Sequence, residues 1–233
     1  MGLFGFGFWD PTLILLVPGI IFALVAQNMV TSRYRRYSVV PVASGITGAD
    51  AARHILERNG IHDIQIVQID GTLKDNYNPK KRTINLSRDV YGKATVAAVG
   101  IAAHEAGHAV QHEKKYVFIF LRTALAPVAS VGTYLSFAVV FIGLLMANET
   151  FAMAGVFVYT FVVLFMLITL PVELNASNRA IAIIGQTAIL NDEEKLGARR
   201  ILNAAALTYV AALVNSLLTL LRLLLIAGGA RRR

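Results

Sequence analysis

The chain has 233 residues, of which 56% are hydrophobic and only 15% charged, and its mean hydropathy is +0.59. Soluble domains carry about a quarter charged residues, so an ordinary soluble fold is excluded and much of the chain is expected in a bilayer. The absence of cysteine rules out disulfides and thiolate metal sites, and the net charge of +8 comes without any basic-aromatic motif for nucleic acid, so it fits positive residues flanking membrane spans.

About 20 apolar residues are needed for a helix to cross the hydrocarbon core. Residues 12–30 form the first such stretch. No Lys or Arg precedes Arg33, and Trp9 and Asp10 stand where a cleaved signal would be basic, so residues 1–32 are expected to form a retained anchor. Phe4, Phe6, Phe8 and Trp9 suit an interfacial aromatic belt.

Residues 33–117 carry most of the charges and predict a small water-exposed α+β domain. Thr47 with Asp50 three residues on is a helix start, and Asn59-Gly60 is its stop. The β-branched run around Ile64, Ile66 and Ile69 predicts a strand, Asn78-Pro79 a turn, and 83–87 a second strand. An Ala- and Val-rich helix is expected from about Tyr91 to His112.

Residues 118–172 predict a transmembrane hairpin, with apolar runs at 125–147 and 151–172 joined by Asn148, Glu149 and Thr150. Mixed polarity returns over 173–206, where Asn191 is a helix N-cap followed by Asp192, Glu193 and Glu194. Residues 207–233 hold a fourth apolar stretch and a basic tail. Asn215 and Arg222 inside that stretch leave open a re-entrant or interfacial segment. Arg33, Arg35, Arg36, Lys114, Lys115, Arg122, Arg179, Lys195, Arg199 and Arg200 all fall on one side of this topology, with Asp10 and Glu149 opposite. The positive-inside rule makes that side cytoplasmic, against the tail of Arg231, Arg232 and Arg233.

The chemistry is carried by His104-Glu105-Ala106-Gly107-His108. Residues four apart share a helix face, so His104 and His108 can offer two imidazole nitrogens to one zinc ion. Glu105 then lies beside the metal, placed to take a proton from a metal-activated water and pass it to the leaving amine. An exposed polar patch or a pair of satisfied core histidines would not account for two His and a Glu within the apolar run 94–110. For the third ligand Glu173 is preferred, because the hairpin returns the chain to the side of the motif helix. Its rival His112 continues the helical face, but each further turn along a straight helix moves a side chain about 6 Å from the last. Asn175 and Ser177 are candidates for orienting a ligand. The strand Thr83, Ile84, Asn85 and Leu86 is a candidate for pairing with an extended peptide if it lies at a sheet edge. Tyr77 and Tyr91 are candidate oxyanion donors, and His54 and His62 read as surface residues.

The order of these features resembles the YugP-type neutral zinc metallopeptidases of prokaryotic membranes: a first span, Asp75-Asn76-Tyr77-Asn78-Pro79 before a strand, Ala-Ala-His-Glu-Ala-Gly-His-Ala-Val-Gln at 102–111, two spans, and Pro-Val-Glu-Leu-Asn-Ala-Ser at 171–177. More distantly it is similar to the HtpX-like membrane gluzincins, in which a Glu on a later helix completes the zinc site. That likeness supports Glu173 as third ligand. It differs in Ser177, where the HtpX-like pattern has an acidic residue, and in Asn175, where the YugP-type pattern often has Asp. The resemblance implies a zinc endopeptidase in a prokaryotic cell membrane, acting on peptides or membrane proteins. The competing reading is a membrane scaffold or adaptor with a vestigial metal site. The expected architecture is mainly α, a polytopic membrane protein with about four apolar spans and a small zincin-like α+β domain.

Overall fold

The computed structural model describes residues 11–187 and 189–229. The aromatic belt at Phe4, Phe6, Phe8 and Trp9, together with Asp10 and the basic tail of Arg231, Arg232 and Arg233, lies outside the described residues. The chain is mainly α. It runs through a 3-10 turn at Pro11–Leu16, α1 Val17–Tyr37, α2 Gly48–Arg58, β1 Gln65–Ile69, β2 Asn76–Asn78, β3 Thr83–Ser87, α3 Arg88–Tyr91, α4 Val96–Glu113, α5 Val117–Leu145, α6 Glu149–Gln186 and α7 Asp192–Gly229. Among the described residues, four helices are long and apolar enough to cross a membrane: α1 with the turn before it, α5, α6 and α7. The chain divides into two compact units, one of residues 1–25, 122–168 and 209–233, the other of 26–121 and 169–208.

The first unit is built from apolar helix. Asn148 starts α6 by accepting a hydrogen bond from the Phe151 amide at 3.0 Å, which turns the chain back along α5. Small residues let these two helices touch, since a side chain at Gly143 would meet the backbone of Ala152, and one at Gly155 would meet Val140. Val140, Ala152, Val156, Tyr159, Val162 and Leu223 form the core. The polar residues of the fourth apolar stretch have partners on the first helical segment. Asn215 Nδ2 donates to Gly19 O at 3.2 Å, and Arg222 Nε donates to Thr12 Oγ1 at 3.2 Å. With those groups satisfied, α7 continues as unbroken helix through a stretch that could have been re-entrant. The described Lys and Arg residues of this unit are Arg122 and Arg222.

The second unit holds the sheet and nearly all remaining charge. β3 is its middle strand, parallel to β1 and antiparallel to β2. This corrects the edge-strand reading of Thr83, Ile84, Asn85 and Leu86, because β3 lies between β1 and β2 and not at the edge of the sheet. β2 was not legible as a strand: it has three residues, two of them Asn. α2 begins where Thr47 accepts from the Asp50 amide and ends at Asn59-Gly60, with Gly60 at φ 72°. The helix expected from Tyr91 breaks at Gly92, and a new one starts at Thr95, whose hydroxyl accepts from the Ala98 amide. α4 is buried over most of its length, with Val96, Val99, Ala102, Ala103, Ala106 and Val110 in the core. Its many Ala residues let neighbours pack closely; a Cβ at Gly100 would lie 3.2 Å from the Ala198 Cβ.

The changes of polarity at 172/173 and 206/207 fall inside continuous helices. α6 and α7 each have 38 residues, about 57 Å at 1.5 Å per residue, against about 30 Å for a hydrocarbon core. Helix needs only local hydrogen bonds, so it runs on where composition changes.

Asn191 opens α7 with a reciprocal cap. Its Oδ1 accepts from the Glu194 amide at 2.9 Å, and Glu194 Oε2 accepts from the Asn191 amide at 2.9 Å. The other oxygen of Glu194 accepts from the Ala43 amide at 2.7 Å, tying this cap to the segment after α1. Asn191→Ala should therefore lower stability by about 1 kcal/mol, read as a shift of the thermal midpoint in detergent.

Candidate metal centre

His104 and His108 sit one turn apart on α4 with their rings edge to face, centroids 4.7 Å apart. α6 brings Glu173 to the same place. Its Oε2 lies 3.2 Å from His104 Nε2 and 3.5 Å from His108 Nε2. One ligand atom from each of the three residues falls within a 4.8 Å span. Glu173 is 2% exposed and His108 6%.

The approach of the two helices depends on Gly107. A Cβ there would lie 2.6 Å from Ala176 O, closer than any side chain tolerates. Val172, Glu173, Ala176, Ser177 and Ala180 form the buried face of α6, spaced as one helical stripe. The glycine inside the motif is thus the contact that admits the helix carrying Glu173, the third side chain of the cluster.

Both imidazoles are held from behind. His104 Nδ1 lies 3.1 Å from Ser177 Oγ, and His108 Nδ1 lies 3.0 Å from Gln111 Oε1. Gln111, fully buried, donates from Nε2 to Val172 O at 2.8 Å and to Asn175 Oδ1 at 3.0 Å. Asn175 Oδ1 also accepts from Arg179 Nε at 2.7 Å. Ser177 thus touches a motif histidine directly, while Asn175 reaches the other through Gln111. Gln111 was missed in the sequence because a glutamine near a helix end looks like a surface residue. The usable signal was its position three residues after His108, on the same face.

The donor set suits a divalent ion such as zinc. With both Nδ1 atoms engaged, the two Nε2 atoms and a carboxylate oxygen face one another in a buried space. Ligands held tetrahedrally at about 2.0–2.1 Å lie about 3.4 Å apart, close to the 3.2 and 3.5 Å seen here.

His112 is not part of the cluster. Its ring packs against Phe120, with centroids 5.1 Å apart, and its Nδ1 lies 3.4 Å from the Tyr77 hydroxyl. That hydroxyl is therefore turned to His112, and Tyr91 packs against the hydrophobic core. His54 is exposed, as is His62.

Glu105 is buried, close to Tyr77 of β2. Burial pushes its pKa up to about 7, opposed by the charge of His104 and assisted by that of Glu173. The end of β2 is fixed in turn by Asp75, whose Oδ1 accepts from the Ser87 amide at 2.7 Å and the Ser87 hydroxyl at 2.8 Å.

Four described helices long and apolar enough to cross a membrane, and a His-His-Glu cluster able to hold a metal ion, define the class: a mainly helical protein with a candidate metal site. The chain belongs to the family described as "Putative neutral zinc metallopeptidase", which matches residues 12–228. It is similar to "Putative membrane protease YugP" of Bacillus subtilis (strain 168), being 40% identical over 206 residues that cover 88% of this chain and 92% of that protein. No solved structure matches it.

Gly107→Val should force α4 and α6 apart while leaving both helical. The expected result is a loss of metal affinity of tenfold or more with an unchanged far-ultraviolet circular dichroism spectrum, measured by chelator competition on the purified protein.

Proposed function

We propose that the protein is a membrane-embedded, zinc-dependent endopeptidase of gluzincin type. The observation that carries this reading is the convergence of His104, His108 and Glu173, with Glu105 beside them on the same helix. The three converging residues would hold the ion. Bound there, zinc supplies Lewis-acid polarisation of the scissile carbonyl and makes water a better nucleophile at neutral pH.

The remaining work falls to the chain. Glu105 receives the proton of the attacking water and delivers it to the nitrogen of the leaving amine. The burial of Glu105 and Glu173 limits competing bulk water around them. An extended peptide substrate is assigned to the free side of β2, the strand that borders Glu105, since β3 is enclosed. Peptides or membrane-anchored proteins are the proposed substrates. The proposed location is the cytoplasmic face of a prokaryotic cell membrane, with the lipid bilayer around the apolar helices; the positive residues of the second unit support it.

Glu105→Gln tests the mechanism. It should retain about one zinc per chain by metal analysis while peptide turnover falls by three orders of magnitude or more. Unchanged turnover would remove Glu105 from the reaction and favour a scaffold with a vestigial site. For the ligands, Glu173→Ala should lose zinc on dialysis against a chelator that leaves His112→Ala loaded. The opposite ranking would give the third position to His112.

A further inference from the structure

The two histidines are held by partners of different kinds. Behind His108, every hydrogen-bond role is fixed. Arg179 Nε can only donate, so the Asn175 atom 2.7 Å from it is the amide oxygen. Val172 O can only accept, so the Gln111 atom 2.8 Å from it is the amide nitrogen. That nitrogen also faces the Asn175 oxygen at 3.0 Å, so the two assignments agree. The remaining Gln111 atom, 3.0 Å from His108 Nδ1, is an oxygen, and Nδ1 must carry the proton. The lone pair of His108 is therefore on Nε2, facing Glu173.

Behind His104 the partner is a hydroxyl, which donates or accepts equally well. Ser177 accepts from Nδ1–H in one tautomer of His104. In the other it donates to Nδ1 while Nε2–H donates to Glu173 Oε2, 3.2 Å away. An aspartate at 177 would accept only and would fix the first of these.

We propose that Arg179, Asn175 and Gln111 form a relay that presets His108 as a metal ligand, while Ser177 leaves His104 to change tautomer when the ion arrives. Gln111 is the positioning residue of this relay; it touches the ligand and not the ion. The assignment rests on the zinc reading above for its purpose, but the tautomers it sets are a property of the metal-free chain.

The test uses the full-length protein in detergent, labelled with 15N at histidine and freed of metal. Long-range 1H–15N spectra at mildly alkaline pH report which ring nitrogen of each histidine carries the proton, and chelator competition gives zinc affinity. In the unmodified protein His108 should show the Nδ1–H tautomer alone, both before and after zinc, while His104 should change on adding it. Gln111→Ala should mix the tautomers of His108 and weaken zinc binding about 10–100-fold. Asn175→Asp, which still accepts from both neighbours, should behave as the unmodified protein. A folded Gln111→Ala protein with a single His108 tautomer and undiminished affinity overturns the relay. If that variant does not fold, Asn175→Leu, which leaves Gln111 in place, is judged by the same two readings. If the unmodified protein binds no zinc, the metallopeptidase reading fails, and the His108 tautomer in the metal-free protein still decides the relay.

Discussion

The contact between Gly107 and the backbone of Ala176 is the constraint on which the centre depends. Two histidines on one helix can point the same way without any tertiary structure, because the spacing is local. A third ligand cannot be supplied so cheaply. It comes from a residue 65 or more positions later, and the 3.2 and 3.5 Å separations require two helix backbones nearly in contact. Only glycine at 107 leaves room for this, and it sits between the two histidines, where the approach is most useful. The same crossing puts Ser177 behind His104, since Glu173 and Ser177 are one turn apart on α6.

That arrangement buries a carboxylate and one imidazole, and half-buries the other, where desolvation penalises charge. A buried polar group is tolerated when all of its hydrogen-bonding atoms are met, and a half-satisfied network is costly. Here the rear of each ring is met by Ser177 or Gln111, and the buried Gln111 is met in turn by Val172 O and Asn175. What remains facing inward is the two Nε2 atoms and a Glu173 oxygen, each able to act as an electron-pair donor to an ion. A cation is the natural complement to such a set, and in the proposed reading its binding offsets the cost of burying it. Glu105 is placed differently: it is buried, and burial raises its pKa, but it is not one of the three converging side chains. In the proposed reading it exchanges a proton, and such a group is better kept out of the ligand set than within it.

Legibility in the sequence followed the range of the interactions involved. The motif, the caps at Thr47 and Asn191 and the hairpin at Asn148 were readable because each is set by residues within four positions. The strand at 83–87 was readable from its own alternation, but its place in the middle of the sheet was not. Strand order is decided by pairing with Gln65–Ile69 and Asn76–Asn78, and the second of these carries no strand propensity. Glu173 could be chosen because a hairpin fixes the direction of return, whereas the continuity of α6 through it could not, since a change from apolar to polar composition looks like an end. Gln111 and Arg179 acquire meaning only from a helix far away in sequence. Asn175 was noticed, but its reach to His108 through another side chain was invisible.

The unbroken course of α6 also bears on the cost of the candidate site. Its apolar run, residues 151–172, measures about 33 Å as helix, close to the thickness of a hydrocarbon core. Glu173 follows that run in the same helix, two residues after Pro171. On the proposed reading, in which the run spans the bilayer, a carboxylate just past its end costs far less than one a turn or two deeper.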